Sequence, residues 1–101
     1  MMHVQELRDT IRHLHGARAK HVESVPVTES FKGQTVWDGI VEVFHLKSHP
    51  KASKVYAWIH DTDDPSNPRR HVTVLYIPPI TSPKTAVQTA MVQEFKDRAK
   101  H

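Results

Sequence analysis

From Thr35 to Leu46 the chain reads TVWDGIVEVFHL, and apolar side chains occupy both parities of the run. Trp37, Val41 and Val43 fall on one parity, and Val36, Ile40, Phe44 and Leu46 on the other. Successive side chains of a strand point to opposite faces, so neither face of this segment tolerates water along its whole length. The run predicts a central strand, or one covered on both faces by helix or by a second subunit. Gly39 in its middle reads as the mark of a bulge.

The neighbouring segments supply the rest of a sheet. In His21 to Phe31, Val25, Val27 and Phe31 lie on one side and Ser24, Pro26 and Thr28 on the other. Pro26 has no N–H for a ladder, which makes this an edge or bulged strand, and Lys32-Gly33-Gln34 makes a tight connection back. Val55 to His60 and His71 to Ile77 predict a hairpin around the polar loop DTDDPSNPRR. Symmetry about that loop sets His60 opposite His71, Ile59 opposite Val72 and Trp58 opposite Thr73. Pro78-Pro79 ends the second arm.

Helices flank these strands. Val4, Leu7, Ile11 and Leu14 form a stripe at helical spacing, closed by Gly16 at the position of a left-handed cap. Ser82-Pro83 is an N-cap followed by a proline suited to the first helical position, and Ala86, Val87, Ala90, Met91 and Phe95 form a second stripe. Residues 1–101 thus read as one α+β domain. The expected order is α-β-β-β-β-α, with a four-stranded antiparallel sheet and both helices packed mainly on one face. A sheet apolar on both sides but helix-covered on one leaves a face bare, and a homodimer is the simplest cover.

Composition removes several chemistries. The chain has no cysteine, so disulfides, thiolate metal sites and cysteine nucleophiles are out. Its three glycines, Gly16, Gly33 and Gly39, stand apart, which excludes a phosphate-binding or dinucleotide fingerprint and a G-x-S-x-G elbow. The residues point away from an enzyme and toward no cofactor. The charged N-terminal stretch shows no signal peptide, and no apolar run approaches the ~20 residues of a membrane span. The expectation is a cytoplasmic protein without membrane contact. A net charge of +3 permits polyanionic partners without demanding them.

Three clusters remain as candidate sites. The stretch HLKSHPKASK, residues 45–54, carries Lys47, His49, Lys51 and Lys54 with no acid among them. With Ser48 and Pro50 shaping a turn whose N–H groups face outward, these four are candidate anion ligands. Nine histidines are a high number for this length. His60 and His71, as cross-strand neighbours beside Asp61, Asp63 and Asp64, would give a three-ligand metal site with an open position. Arg69 and Arg70 approach the same acids and favour a charge-balanced loop instead. Trp37, Tyr56, Trp58 and Tyr76 are candidates for base stacking or for an apolar interface.

Ser82-Pro83-Lys84-Thr85-Ala86, with Ala90 after it, resembles the opening of the second helix in double-stranded-RNA-binding domains. The chain departs from that family in having Pro83 and one lysine where the family has a lysine cluster, and in its fourth strand. The residues by themselves favour a small non-catalytic binding module that engages nucleic acid or another polyanion through the lysine-rich loop. The alternatives are a metal-binding or hydrolase-like protein working at His60 and His71, and an adaptor that meets an unknown protein partner through an apolar sheet face.

Overall fold

The structure is a computed structural model that describes residues 2–61, 65, 66 and 68–99. Its elements run α1 (Met2–His15), β1 (Arg18–Phe31), β2 (Gln34–Lys47), β3 (Lys54–Asp61), β4 (Arg69–Leu75) and α2 (Pro83–Ala99). The strands form one antiparallel sheet in the order β1-β2-β3-β4, so the expected α+β architecture is present. No helix among the described residues is long and apolar enough to cross a membrane.

The helices do not share a face. Leu7 and Ile11 of α1 pack with Phe44, Leu46, Val55 and Ala57. Ala86 and Val87 of α2 pack with Val27, Val41, Val43, Tyr56 and Trp58. Along β3, Val55 and Ala57 belong to the α1 cluster, whereas Tyr56 and Trp58 belong to the α2 cluster. Since neighbouring strand residues face opposite ways, each helix covers its own side. The expectation of helices mainly on one face is therefore corrected, while Ile40, on the α1 side of the outer part of β2, stays 51% exposed.

Local sequence explains how the elements start and stop. Gly16 sits at φ +64, and its N–H donates to the Arg12 carbonyl at 2.9 Å, ending α1 where the glycine was expected to cap it. Of the predicted stripe, Leu7 and Ile11 are buried, but Leu14 is 59% exposed. β1 and β2 are joined through Lys32 and Gly33 at φ 52 and 78, with Phe31 and Gln34 as the last pair. Two consecutive left-handed residues form the type I′ turn whose twist suits a hairpin. At α2, the Thr85 N–H donates to Ser82 Oγ and the Ser82 N–H to Thr85 Oγ1, both at 3.1 Å, so the predicted cap is reciprocal.

The bulges fall elsewhere than at Gly39. The register slips between His21 and Glu23 and between Glu29 and Ser30, leaving Val22 extra on β1 and Val36 extra on β2. The Val22 bulge reverses which parity faces which helix. Val25 and Val27 pack on the α2 side, while Ala17 and Ala19, of the same parity, pack on the α1 side. Gly39 pairs regularly with Val27. A Cβ there would meet Trp37 Cη2 at 3.0 Å, so the glycine makes room for the indole.

Two registers place the candidate side chains. β2 pairs with β3 only from Glu42↔Ala57 to His45↔Lys54, so the outer parts of the two strands diverge. In β3–β4 the pairs are Trp58↔Val72, Ile59↔His71 and His60↔Arg70, one residue away from the symmetric expectation. The phenyl ring of Phe95 and the carboxylates of Asp63 and Asp64 lie outside the described residues.

Because Leu7 is 1% exposed and Leu14 is 59% exposed, their truncations should part company. In chemical denaturation, Leu7→Ala should cost about 2–5 kcal/mol, whereas Leu14→Ala should stay within about 0.5 kcal/mol.

Candidate functional site

The β1–β2 register assembles a basic surface that no local stretch of sequence contains. Arg18 stands opposite Lys47, and Lys20 opposite His45, which in turn pairs with Lys54 of β3. Val43, Tyr56 and Val74 point toward α2, and alternation carries Lys47, His45, Lys54, Lys20 and Arg18 to that same face. Arg18, Lys20, His45 and Lys47 are exposed. No side-chain hydrogen bond or ion pair ties any of these four to another described residue. Lys54 lies with its ammonium 5.6 Å from the centroid of the Tyr76 ring. The first acid met along β1 on this face is Glu23, past the Val22 bulge. An open concavity of about 410 Å³ runs between Arg18, Lys20, His45 and Lys47.

The predicted anion loop is built differently from the expectation. Residues 48–53 connect β2 to β3 with Ser48 at φ 64, and Ala52 is buried against the α1 side of the core. His49 Nδ1 accepts the backbone N–H groups of Lys51 and Ala52, each at 3.1 Å. The N–H groups that were to meet an anion are therefore consumed inside the loop, and His49 is a structural acceptor. Lys51 remains exposed on the loop, while Lys47 and Lys54 belong to the strand rows.

His49 also meets α1. Its ring stands edge-on to that of His15, with centroids 6.3 Å apart, and His15 Nε2 lies 2.9 Å from Thr73 Oγ1. Burial, with the neighbouring His49 adding to it, pushes the His15 imidazole below its ordinary value of 6.5.

The shifted hairpin separates the two histidines proposed as metal ligands. His60 pairs with Arg70, and His71 with Ile59, so the imidazoles project from opposite faces of the sheet. His71 Nε2 lies 2.9 Å from Glu6 Oε2 of α1, and Arg69 reaches the same carboxylate at 3.1 Å. The His71 hydrogen bond, with Arg69 behind it and against the opposing pull of desolvation, holds the Glu6 carboxyl below its ordinary value. Asp61 pairs through its backbone with Arg69, and its carboxylate lies outside the described residues. Among the described residues, no three ligating side chains come together to hold a metal.

One cluster has the residue types of a hydrolytic triad. His21 Nε2 lies 2.8 Å from Glu42 Oε1, and Ser24 Oγ donates to that same oxygen. Catalysis would need the carboxylate on Nδ1, leaving Nε2 to take the serine proton. Here Glu42 occupies Nε2, while Ser24 is 3.4 Å from that nitrogen. The arrangement ties β1 to β2 beside the Val22 bulge and activates no nucleophile.

The predicted aromatics form two edge-on pairs. Trp37 and Trp58 meet with centroids 5.7 Å apart and planes at 76°, and Tyr56 and Tyr76 at 6.2 Å and 61°. Tyr56 and Trp58 are each 3% exposed, so a flat platform for base stacking is not available on β3. Burial raises the Tyr56 phenol above its ordinary value, with Tyr76 and Glu23 adding to the shift.

Sequence reading missed Arg18, Lys20 and His45 as partners of the lysines, although a signal existed. Counting outward from the Lys32-Gly33 turn sets Arg18 against Lys47, because each strand carries one bulge and the two slips cancel. Comparison with protein-family models, with curated proteins and with solved structures gives no significant match.

The depressed His15 titration has a definite sign. The unfolded chain binds this proton more readily, so His15 destabilises the fold as pH falls below about 6.5. His15→Gln should lose less stability than the parent between about pH 7 and pH 5, measured by denaturant midpoints. Parallel curves for the two proteins would contradict this assignment.

Proposed function

We propose that this chain is a small non-catalytic binding module for polyanions, nucleic acid first among them, with its working surface on the basic rows of β1, β2 and β3. The observation that carries the reading is the pairing of Arg18 with Lys47, of Lys20 with His45, and of His45 in turn with Lys54. Like charges directly opposite one another on a sheet are destabilising, and no acid among the described residues bonds to Arg18, Lys20 or Lys47. A phosphate chain laid across the rows removes that repulsion and releases its own counterions. Lys51, exposed at the edge of the neighbouring loop, extends the surface.

The chemistry of the rows favours backbone contact over base reading. Lysine and arginine stems reaching from a sheet neutralise phosphates, whereas sequence is read by groups aimed at base edges. Binding should therefore be tolerant of sequence and steeply dependent on salt.

Retention on single-stranded RNA across a salt series tests this. Engagement of Arg18, Lys20, Lys47 and Lys54 would give a logarithmic slope of about −2.8. Lys47→Glu should weaken retention and at the same time raise the melting temperature at low salt, because it replaces a repulsive pair with Arg18 by an attractive one. Unchanged retention in a variant carrying Arg18→Glu, Lys20→Glu and Lys47→Glu together would overturn the proposal.

A further inference from the structure

At the opposite end of the α2-covered face, the diverging ends of β2 and β3 leave a cleft of about 310 Å³. Its walls are Trp37, Trp58, Val72, Val87, Ala90 and Met91, and His60 and Arg70 stand at its polar side. We propose that this cleft is a ligand site for a small planar aromatic molecule that carries a carboxylate, a function separate from the basic rows.

Three features carry the inference. The first is shape. β2 stops pairing with β3 at Glu42, so the cleft belongs to the topology of the sheet and is roofed by α2. Small-molecule sites are typically concave, of about 300–1,000 Å³, mostly apolar and supplied with a few convergent polar groups.

The second is the indole corner. The tryptophan rings meet at 76°, and Gly39 lets Trp37 lie across β2, since a Cβ there would sit 3.0 Å from the indole. Trp58 is 3% exposed and forms the floor, while Trp37 is half-buried and offers an accessible ring. Aromatic rings favour edge-to-face and offset contacts, and a third ring entering this corner can make such a contact with Trp37.

The third is charge. Arg70 is exposed and sits opposite His60 in the β3–β4 register, and its guanidinium has no hydrogen bond or ion pair to the described residues. Its guanidinium presents a planar fork that matches a carboxylate. Glu94, on the α2 wall, has an interaction of its own. Its charge sets the orientation, with the ligand's anionic end toward β4 and its ring beneath the helix.

The chain's two tryptophans both line the cleft, so their indole N–H resonances report on it directly. The isotope-labelled protein is titrated with 2-naphthoate, with its neutral counterpart 2-naphthamide, and with benzyltrimethylammonium. Saturable shifts of both indole signals with naphthoate are expected, with weaker response to the amide and none to the ammonium. Arg70→Gln, at an exposed position, should weaken naphthoate binding by about tenfold or more while leaving the amide unaltered. Ala90→Leu, which fills the cleft from the helix side, should abolish both responses. Absent indole shifts with naphthoate, equal binding of acid and amide, preference for the ammonium, or an Arg70→Gln variant that binds as the parent does would each overturn the proposal. The readout is independent of polyanion retention, so either proposal can fail alone.

Discussion

The double burial of β3 is the constraint on which the remaining architecture rests. Val55, Tyr56, Ala57 and Trp58 are four consecutive residues, each at most 3% exposed. A strand with no wet face must be interior to the sheet and sandwiched. At this size one chain has few elements available, and the structure places one helix on each side. α1 seals Val55 and Ala57 through Leu7 and Ile11, and α2 seals Tyr56 and Trp58 through Ala86 and Val87. Each helix is held in place by the same alternation of side chains that requires it.

The β1–β2 hairpin accommodates this sandwich by bending out of register twice. With Val22 inserted in β1, odd-numbered residues serve the α2 core on one side of the bulge and the α1 core on the other. A bulge leaves one residue unpaired and strengthens the local twist, and the outer half of the hairpin leaves β3 behind. This one deformation shapes both ends of the face. At the near end, where the four strand pairs of β2 and β3 hold, the basic residues are drawn into facing rows. At the far end, where pairing has ceased, the tryptophan-lined cleft opens under α2.

Four of the nine histidines, so conspicuous in composition, serve as ties between elements. His71 joins β4 to α1 through Glu6, His21 joins β1 to β2 through Glu42, and His15 with His49 links the end of α1 to β4 and to the loop before β3. Imidazole suits such places because it can accept or donate at an interface and still pack its ring, as His21 does against Phe44. Histidines placed as ties thus resemble, in composition alone, the raw material of a metal site.

How much was legible follows the range of the interactions. Helix ends at Gly16 and Ser82, the Lys32-Gly33 turn and the existence of four strands were readable, because capping, turn geometry and period involve residues within a few positions of each other. The side each helix takes was not, because the parity of residues 36–46 demands cover without saying which element provides it. Nor was the β3–β4 register, where one residue of slip sends His60 and His71 to opposite faces, since a long polar loop sets no count. Local propensity and alternation dictate the elements, their order and the apolar demand of residues 36–46, and all of these can be read along the chain. The union of Arg18 and Lys20 with Lys47 and Lys54, and of Trp37, Trp58 and Arg70 around one cleft, comes from the folded arrangement alone. Strand pairing and helix placement bring together residues that no local pattern links.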